Sequence, residues 1–322
     1  MFHGRIYCTL FGLICTTLTF LIFKVRFQIN SFWIFRNSEE LSINLPYFGL
    51  LVAIIFLIYM HYEPFTLKIQ RFDFKIPKVK GKIKIAHLSD THVHYPYPQV
   101  TESRLTKIFE IINKENPDFV VYTGDLMSDK SKYSDRDILT ITNSLQTLKS
   151  PCFVCFGNHD VECHDDLKFA LKSIGITTLE QETTEISIGK NKLFISGLKP
   201  SLILPETEHY IKDIATNFKG DRTIPHLLLS HMPDAADMAS KSGLFDLQLS
   251  GHSHGGQCVL PFNGGTPLLP PGCLKYHACV TSNYIVGKMI LHISRGVGVT
   301  PLPFPLIRFL CKPEISIITL TE

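Results

Sequence analysis

The sequence predicts an α/β domain with more than one β-sheet, preceded by a pair of apolar helices. Three observations carry that reading. From Lys82 onward, short apolar runs alternate with segments whose apolar residues recur at helical spacing. The second half of the chain is richer in strand-like runs than the first, which calls for a second sheet. Hydrophobic residues make up 45% of the 322 residues and the mean hydropathy is +0.13, high for a wholly soluble chain, with the excess concentrated at the N-terminus.

At the N-terminus, Ile6 to Phe23 is uncharged over 18 residues, near the lower length limit for a spanning helix. Leu45 to Met60 is a second apolar stretch, with Tyr47, Tyr59 and Tyr62 placed as interfacial aromatics are. Lys24, Arg26 and Arg36 lie between the two stretches, whereas Lys68, Arg71, Lys75, Lys78, Lys80, Lys82 and Lys84 follow the second. The positive-inside bias puts that basic side in the cytoplasm. Residues 1–62 are therefore expected as a membrane-anchoring hairpin, 63–81 as a basic juxtamembrane linker and 82–322 as one undivided domain. An interfacial second helix is the alternative. Arg5 ahead of the first stretch also suits a signal peptide, but no small-residue cleavage site follows.

Within the domain, Ile83 to Ser89 reads as a buried strand ending at Asp90. Leu105, Ile108, Phe109 and Ile112 predict a helix that Pro117 closes, before a strand from Phe119 to Thr123. Ile138, Ile141, Leu145 and Leu148 repeat the pattern ahead of the strand Cys152 to Phe156, and Asp166 to Ser173 is a further helix. Then come strands at 186–188, 193–197, 227–230, 247–250, 289–293 and 315–320, with helices near 206–217 and 233–241. Polar motifs follow the strand ends, where α/β folds place their sites.

A formal net charge of +3 is too small to argue for a nucleic-acid partner, and nothing in the sequence speaks to oligomeric state. The nine cysteines are odd in number and irregularly spaced, which argues against a disulfide framework and for a reducing compartment. Cys152 and Cys155 form a C-x-x-C inside a buried strand, read as core packing and not as a redox pair.

Five motifs stand at strand ends: Asp90-Thr91-His92, Gly124-Asp125, Gly157-Asn158-His159-Asp160, Ser230-His231 and Gly251-His252-Ser253-His254-Gly255-Gly256-Gln257. Imidazoles, an amide oxygen and carboxylates converging from several loops form a suitable ligand set for a pair of divalent metals. Singly the short motifs are weak; their joint occurrence in this order is specific. Over residues 82–322 the chain resembles the calcineurin-like metallophosphoesterase superfamily.

That resemblance implies an αββα sandwich of two sheets with a dinuclear centre at one edge. It implies Asp90, His92 and His254 around a first metal and Asn158, His231 and His252 around a second. Asp125 would bridge them, because a carboxylate spans ions about 3.5–4 Å apart. His159 is implied as a non-ligand acid or electrostatic stabiliser of the phosphoryl group, with a bridging hydroxide attacking in line. Asp160 is expected to orient a neighbouring imidazole. Ser128 stands where purple acid phosphatases carry a tyrosine ligand, so two divalent ions such as Mn²⁺ suit the site better than an iron–tyrosinate.

Gly255-Gly256-Gln257, Ser294-Arg295-Gly296-Val297-Gly298 and Pro305-Leu306-Ile307-Arg308-Phe309 further resemble a membrane-associated branch, the UDP-2,3-diacylglucosamine pyrophosphatases of lipid A synthesis. This implies cleavage of a lipid-linked nucleotide to UMP and 2,3-diacylglucosamine 1-phosphate, at the inner (cytoplasmic) membrane with the catalytic domain facing the cytoplasm. Arg295, Arg308 and Lys275 are expected near substrate phosphates, and the apolar runs 259–279 and 300–310 near acyl chains or the bilayer. The alternatives are another phosphomonoester or phosphodiester as substrate, or a catalytically idle membrane scaffold.

Overall fold

The computed structural model describes residues 39–94, 100–128, 133–261, 264–266, 269–300 and 307–322, with side chains from Tyr47 onward. The apolar helix α1 (Glu39–Tyr62) ends one unit of the chain, and a second unit begins at Glu63. The stretch Tyr47–Phe65, which includes most of α1, has a mean hydropathy of 1.7 and is long and apolar enough to cross a membrane. Phe48, Leu50, Leu51, Ile55 and Ile58 are all exposed to solvent. Such all-round apolarity is not the pattern of a surface helix, which keeps one polar face. The other expected apolar stretch, Ile6 to Phe23, lies outside the described residues, so one helix of the expected hairpin is described.

The second unit contains two six-stranded sheets. In chain order the first sheet comprises β1 (Lys68–Lys75), β2 (Lys82–Leu88), β3 (Phe119–Thr123), β4 (Cys152–Cys155), β5 (Thr177–Thr178) and β12 (Glu314–Thr321). The second comprises β6 (Glu182–Ile188), β7 (Asn191–Gly197), β8 (His226–Leu229), β9 (Leu247–Ser250), β10 (Asn283–Val286) and β11 (Met289–Ile293). Their orders are β1-β12-β2-β3-β4-β5 and β10-β11-β9-β8-β7-β6, and β2-β3-β4 and β7-β8-β9-β11 run parallel.

Three apolar layers hold this arrangement. Because side chains alternate along a strand, Phe119 and Val121 of β3 face the second sheet, where they join Ile83, Ile85, Leu227, Leu229, Leu247 and Leu249. Val120 and Tyr122 face the other way, onto α2 (Glu102–Glu115), α3 (Asp135–Leu145) and α4 (His164–Ser173), through Leu105, Phe109, Ile141 and Leu167. The outer face of the second sheet packs on α5 (Leu204–Asn217) and α6 (Ala236–Ser242) through Ile211, Ile214 and Ala239. The four layers are helix, sheet, sheet and helix. The same alternation separates the C-x-x-C pair: Cys152 packs towards the helices and Cys155 between the sheets, and both thiols are free.

Residues 63–81, expected as a linker, instead carry strand β1, which pairs in parallel with β12 along its whole length. The first sheet therefore begins at Lys68, ahead of the expected domain start at 82. β1 is an edge strand, and Lys68, Gln70, Arg71 and Asp73 give it the polar outline that discourages edge-to-edge pairing. That outline is also what makes it read as a basic linker.

Candidate metal centre

All five motifs emerge from the C-terminal ends of parallel strands. Asp90 and His92 follow β2, Asp125 follows β3, and Asn158 and His159 follow β4. His231 follows β8, and His252 and His254 follow β9. Backbone bonds carry the ladders on into the loops: Asp90 N–H donates to Gly124 O (3.0 Å), His92 N–H to Asp125 O (3.0 Å) and Gly251 N–H to His231 O (3.2 Å). The two sheets meet where His231 Nδ1 donates to Thr123 O at 2.7 Å.

Five of the seven proposed ligands, Asp90, His92, Asp125, His252 and His254, adopt positive φ between 47° and 66°. Side chains other than glycine rarely sit in this left-handed region, and each such residue carries strain of order 1 kcal/mol or more. Concentrated here, the strain marks a site that its surroundings hold in place. Glycines create the space. A Cβ on Gly157 would collide with the Asp125 carboxylate, and one on Gly251 with Ser89 Oγ and the Asp90 carboxylate.

The ligand atoms form two groups that share Asp125. In the first, His92 Nε2 and His254 Nε2 stand 2.9 Å apart, with Asp90 Oδ1 3.3 Å from His254 Nε2 and Asp125 Oδ2 3.5 Å from His92 Nε2. In the second, His231 Nε2 lies 3.1 Å from Asp125 Oδ2 and 3.1 Å from His252 Nδ1. His231 and His252 each donate their other ring nitrogen to a carbonyl, of Thr123 and of Pro271 respectively. In their neutral forms they therefore turn bare lone pairs towards each other and towards a carboxylate. Asn158 Oδ1 is buried with no hydrogen-bond partner. Repelling lone pairs, together with a buried amide oxygen that lacks a partner, call for a cation, and nitrogen ligands at about 2.1 Å from one metal stand about 3 Å apart. The donor set fits a pair of divalent ions.

Electrostatics agree. Burial drives His92 down to about 3 and His252 to about 4, and holds His254 well below the usual imidazole range. These imidazoles are neutral, the form that binds metal. Burial would also lower His231, but Asp125, its hydrogen bond and Asp90 raise it to about 9. In the absence of a cation a proton there answers the negative charge. Burial opposes ionisation of Asp125, yet His231, His159 and His92 together hold its carboxyl well below the ordinary value. Burial pushes Asp90 and Asp160 up to about 7.

These shifts fix a sign for acid stability. Between pH 6.5 and about 4, His87, His92, His226, His252, His254 and His292 gain protons only on unfolding, because burial depresses every one of them in the fold. Asp90 and Asp160 act oppositely, being protonated in the fold and ionised on unfolding. The unfolded chain binds the larger number of protons, so stability falls as pH drops through this window. Urea midpoints of chelator-treated protein should decrease steadily from pH 6.5 to 4.5; a flat profile would contradict the burial of neutral histidines.

The remaining expected residues are placed as follows. His159 is half-buried, its ring edge-on to His92 at 4.9 Å, with Nδ1 donating to Ser128 O (2.7 Å) and its backbone N–H to Asp125 Oδ1 (2.9 Å). Asp160 orients no imidazole; it accepts from the backbone N–H of Met127 (3.0 Å) and of Gly157 (2.8 Å), tying the second motif loop to the third. Arg295 Nε donates to Ala278 O (3.0 Å), and Arg295 Cγ would meet a Cβ on Gly255 in the last motif. Lys275 is exposed and paired with Asp237.

Arg308 departs from expectation: it is fully buried and faces no open site. Nε and Nη2 reach Gly298 O, Nη2 also reaches Arg295 O (2.8 Å), and Nη1 reaches Cys311 O (3.1 Å) and His254 O (3.3 Å). Every donor is occupied by backbone. Gln257 is a related tether that the motif alone does not reveal: its side chain pairs with both backbone groups of Thr300.

The calcineurin-like phosphoesterase family profile matches residues 83–256, from β2 through the last ligand motif. The metallophosphoesterase YkuE of Bacillus subtilis is 31% identical over 251 residues, covering 76% of this chain and 81% of that protein. The phosphodiesterase YaeI of Escherichia coli is 27% identical, covering 81% of this chain and 92% of its own length. The UDP-2,3-diacylglucosamine pyrophosphatase LpxG of Chlamydia muridarum is also 27% identical, covering 80% and 90%. Among solved structures, protein TT1561 of Thermus thermophilus overlays with a TM-score of 0.46 at 12% identity, covering 67% of this chain and 90% of that one. Ligand clusters on the strand-end loops of both sheets and a profile match that covers all the ligand residues lead to one conclusion: the chain belongs to the calcineurin-like phosphoesterase family and is a metal-dependent hydrolase.

Proposed function

We propose that this protein is a membrane-anchored pyrophosphatase of a lipid-linked nucleotide, with UDP-2,3-diacylglucosamine as substrate and UMP and 2,3-diacylglucosamine 1-phosphate as products. The observation that carries the lipid is the exposed apolar helix ahead of a complete ligand set; the likeness to LpxG supports the particular ester. In this reading the helix inserts into the inner membrane and the catalytic domain lies on its cytoplasmic side. The basic residues after the helix support that orientation.

Asp90, His92, His254 and Asp125 would hold one divalent ion, and Asp125, Asn158, His231 and His252 the other; Mn²⁺ suits this oxygen and nitrogen set. Bound there, two such ions supply charge to the phosphoryl oxygens and a water acidified towards neutral pH. The chain's own groups do the rest. Asp125 sets the separation of the two halves. His159, whose Nδ1–H is fixed on Ser128 O, would present Nε2 to the phosphoryl group as acid or electrostatic stabiliser. Arg295, whose Nε donates to Ala278 O and lies 3.8 Å from the Glu314 carboxylate, would meet a substrate phosphate only through its Nη groups. In His159→Ala, metal content should be kept while kcat falls about 10²- to 10⁴-fold. Loss of metal in that variant would make His159 a ligand instead.

Purified full-length protein with Mn²⁺ should turn over UDP-2,3-diacylglucosamine far faster than a simple aryl phosphate. Equal rates would remove the lipid-nucleotide reading. A second reading, a phosphodiesterase acting on another ester, is favoured by the equal identity to YaeI, and a bis-aryl phosphodiester in the same assay tests it.

A further inference from the structure

Three consecutive large apolar side chains, Leu202, Ile203 and Leu204, stand exposed at the start of α5, 43%, 54% and 52% accessible. A run of this kind on a water-facing surface is unfavourable and is kept where it serves a function. Ser201 Oγ accepts from Ile203 N–H (3.0 Å) and bonds Glu206 Oε2 (2.8 Å), so polar groups shape the loop and leave the leucines outward. α5 begins without a side-chain cap, since Ile203 occupies the capping position that a polar residue would normally take.

The position of this run relative to the metal centre gives it meaning. A Cβ built on Gly272 would lie 3.0 Å from Met232 Cγ, 3.4 Å from Leu202 Cδ2 and 3.5 Å from His252 Nε2, so the leucine and the outer nitrogen of the ligand imidazole pack against the same glycine. The segment carrying Gly272 is bound to the site, because His252 Nε2 donates to Pro271 O at 2.8 Å. Two residues on, Leu274 is 65% exposed, with its backbone N–H fixed on Asp234 Oδ2 (2.8 Å). Leu202 thus stands against the glycine beside the outer edge of the His252 ring, and Leu274 follows that glycine two residues on in the chain.

We infer that Leu202, Ile203, Leu204 and Leu274 form an apolar rim that holds an acyl chain of the substrate while its phosphate lies at the metal centre. The inference rests on the lipid reading above and names the residues that would select for it. The occupant is the substrate's own hydrocarbon. A phosphate bound beside His252 brings any attached chain within reach of Leu202, and burying that chain on the rim removes apolar surface of both from water. Gly272, at φ +97°, lets Leu202 and Met232 approach the outer edge of the His252 ring with no side chain of its own in between.

The test compares full-length protein with the Leu202→Ser/Ile203→Thr/Leu204→Ser variant and, separately, Leu274→Ser. All four positions are exposed, so the fold should persist, and urea midpoints check it. Substrates are long-chain and short-chain UDP-2,3-diacylglucosamine, assayed with Mn²⁺ in detergent mixed micelles and in phospholipid vesicles. We expect kcat/KM on the long-chain ester to fall about 10-fold or more, with the short-chain ester unchanged in both media. Equal loss on both esters, or no loss on either, overturns the rim. Loss confined to vesicles overturns it in favour of direct contact with the bilayer. An aryl phosphodiester bearing a long or a short alkyl chain puts the same question without the nucleotide. Failure of the UDP ester alone therefore dismisses that substrate, while the alkyl pair still decides the rim.

Discussion

Asp125→Ala should abolish metal-dependent hydrolysis, lowering kcat/KM by at least about 10³-fold, and should reduce bound metal from two ions to at most one. The reason is positional. Asp125 Oδ2 lies 3.5 Å from His92 Nε2 and 3.1 Å from His231 Nε2, so a single oxygen borders both ligand groups. Its other oxygen accepts the backbone N–H of His159, which couples the carboxylate to the loop bearing the proposed acid. Without it, the low-pKa imidazoles remain as two half-sites with no shared anion, and His231 loses the partner that raises its pKa to about 9. Asp125→Asn separates charge from shape: volume and one acceptor remain, so metal content should fall less than in alanine while turnover stays low. Metal analysis with activity on an aryl phosphate reads both. An Asp125→Ala protein with two ions and full turnover would overturn the two-group assignment.

Much of this site is legible in the sequence because its ligands follow buried strands. Such a strand is a short apolar run, and β3 at Phe119–Thr123 and β9 at Leu247–Ser250 fall where those runs lie. A polar residue just past the run is then at a strand end by necessity. β1 escapes the same reasoning because it is an edge strand whose polar residues resemble a basic linker; only its register against β12 shows otherwise. The left-handed backbone at five ligands leaves no composition signal, since none of the five is a glycine. Asp160 misleads for a related reason. A carboxylate beside histidines suggests an imidazole partner, but the backbone amides of Met127 and Gly157 reach it first. The run Leu202–Leu204 belongs to no motif, and only its exposure and the approach of Leu202 to the glycine beside His252 set it apart.

Arg308 offers the sharpest contrast between pattern and structure, and replacing it should have a large effect on stability. An arginine in the apolar run 300–310 suggests a phosphate contact. In the fold its guanidinium is buried and joins the carbonyls of His254, Arg295, Gly298 and Cys311, which belong to three separate stretches of chain. One of these carbonyls is that of a metal-ligand residue, so the clamp fixes the last motif against the loop after β11. Arg308→Met keeps much of the side-chain length but donates nothing. Removing a buried charge recovers some desolvation cost. Leaving several buried carbonyls unpaired costs about 1–3 kcal/mol each and outweighs it. A net loss of about 3–5 kcal/mol follows, which for a domain of this size lowers Tm by roughly 10 °C. Metal affinity should fall with it, as His254 is released from a fixed position, while Arg308→Lys should recover only part of either loss because one ammonium cannot span the three stretches. The opposite outcome is equally readable: unchanged Tm and metal content with a raised KM would return Arg308 to the substrate and remove the clamp.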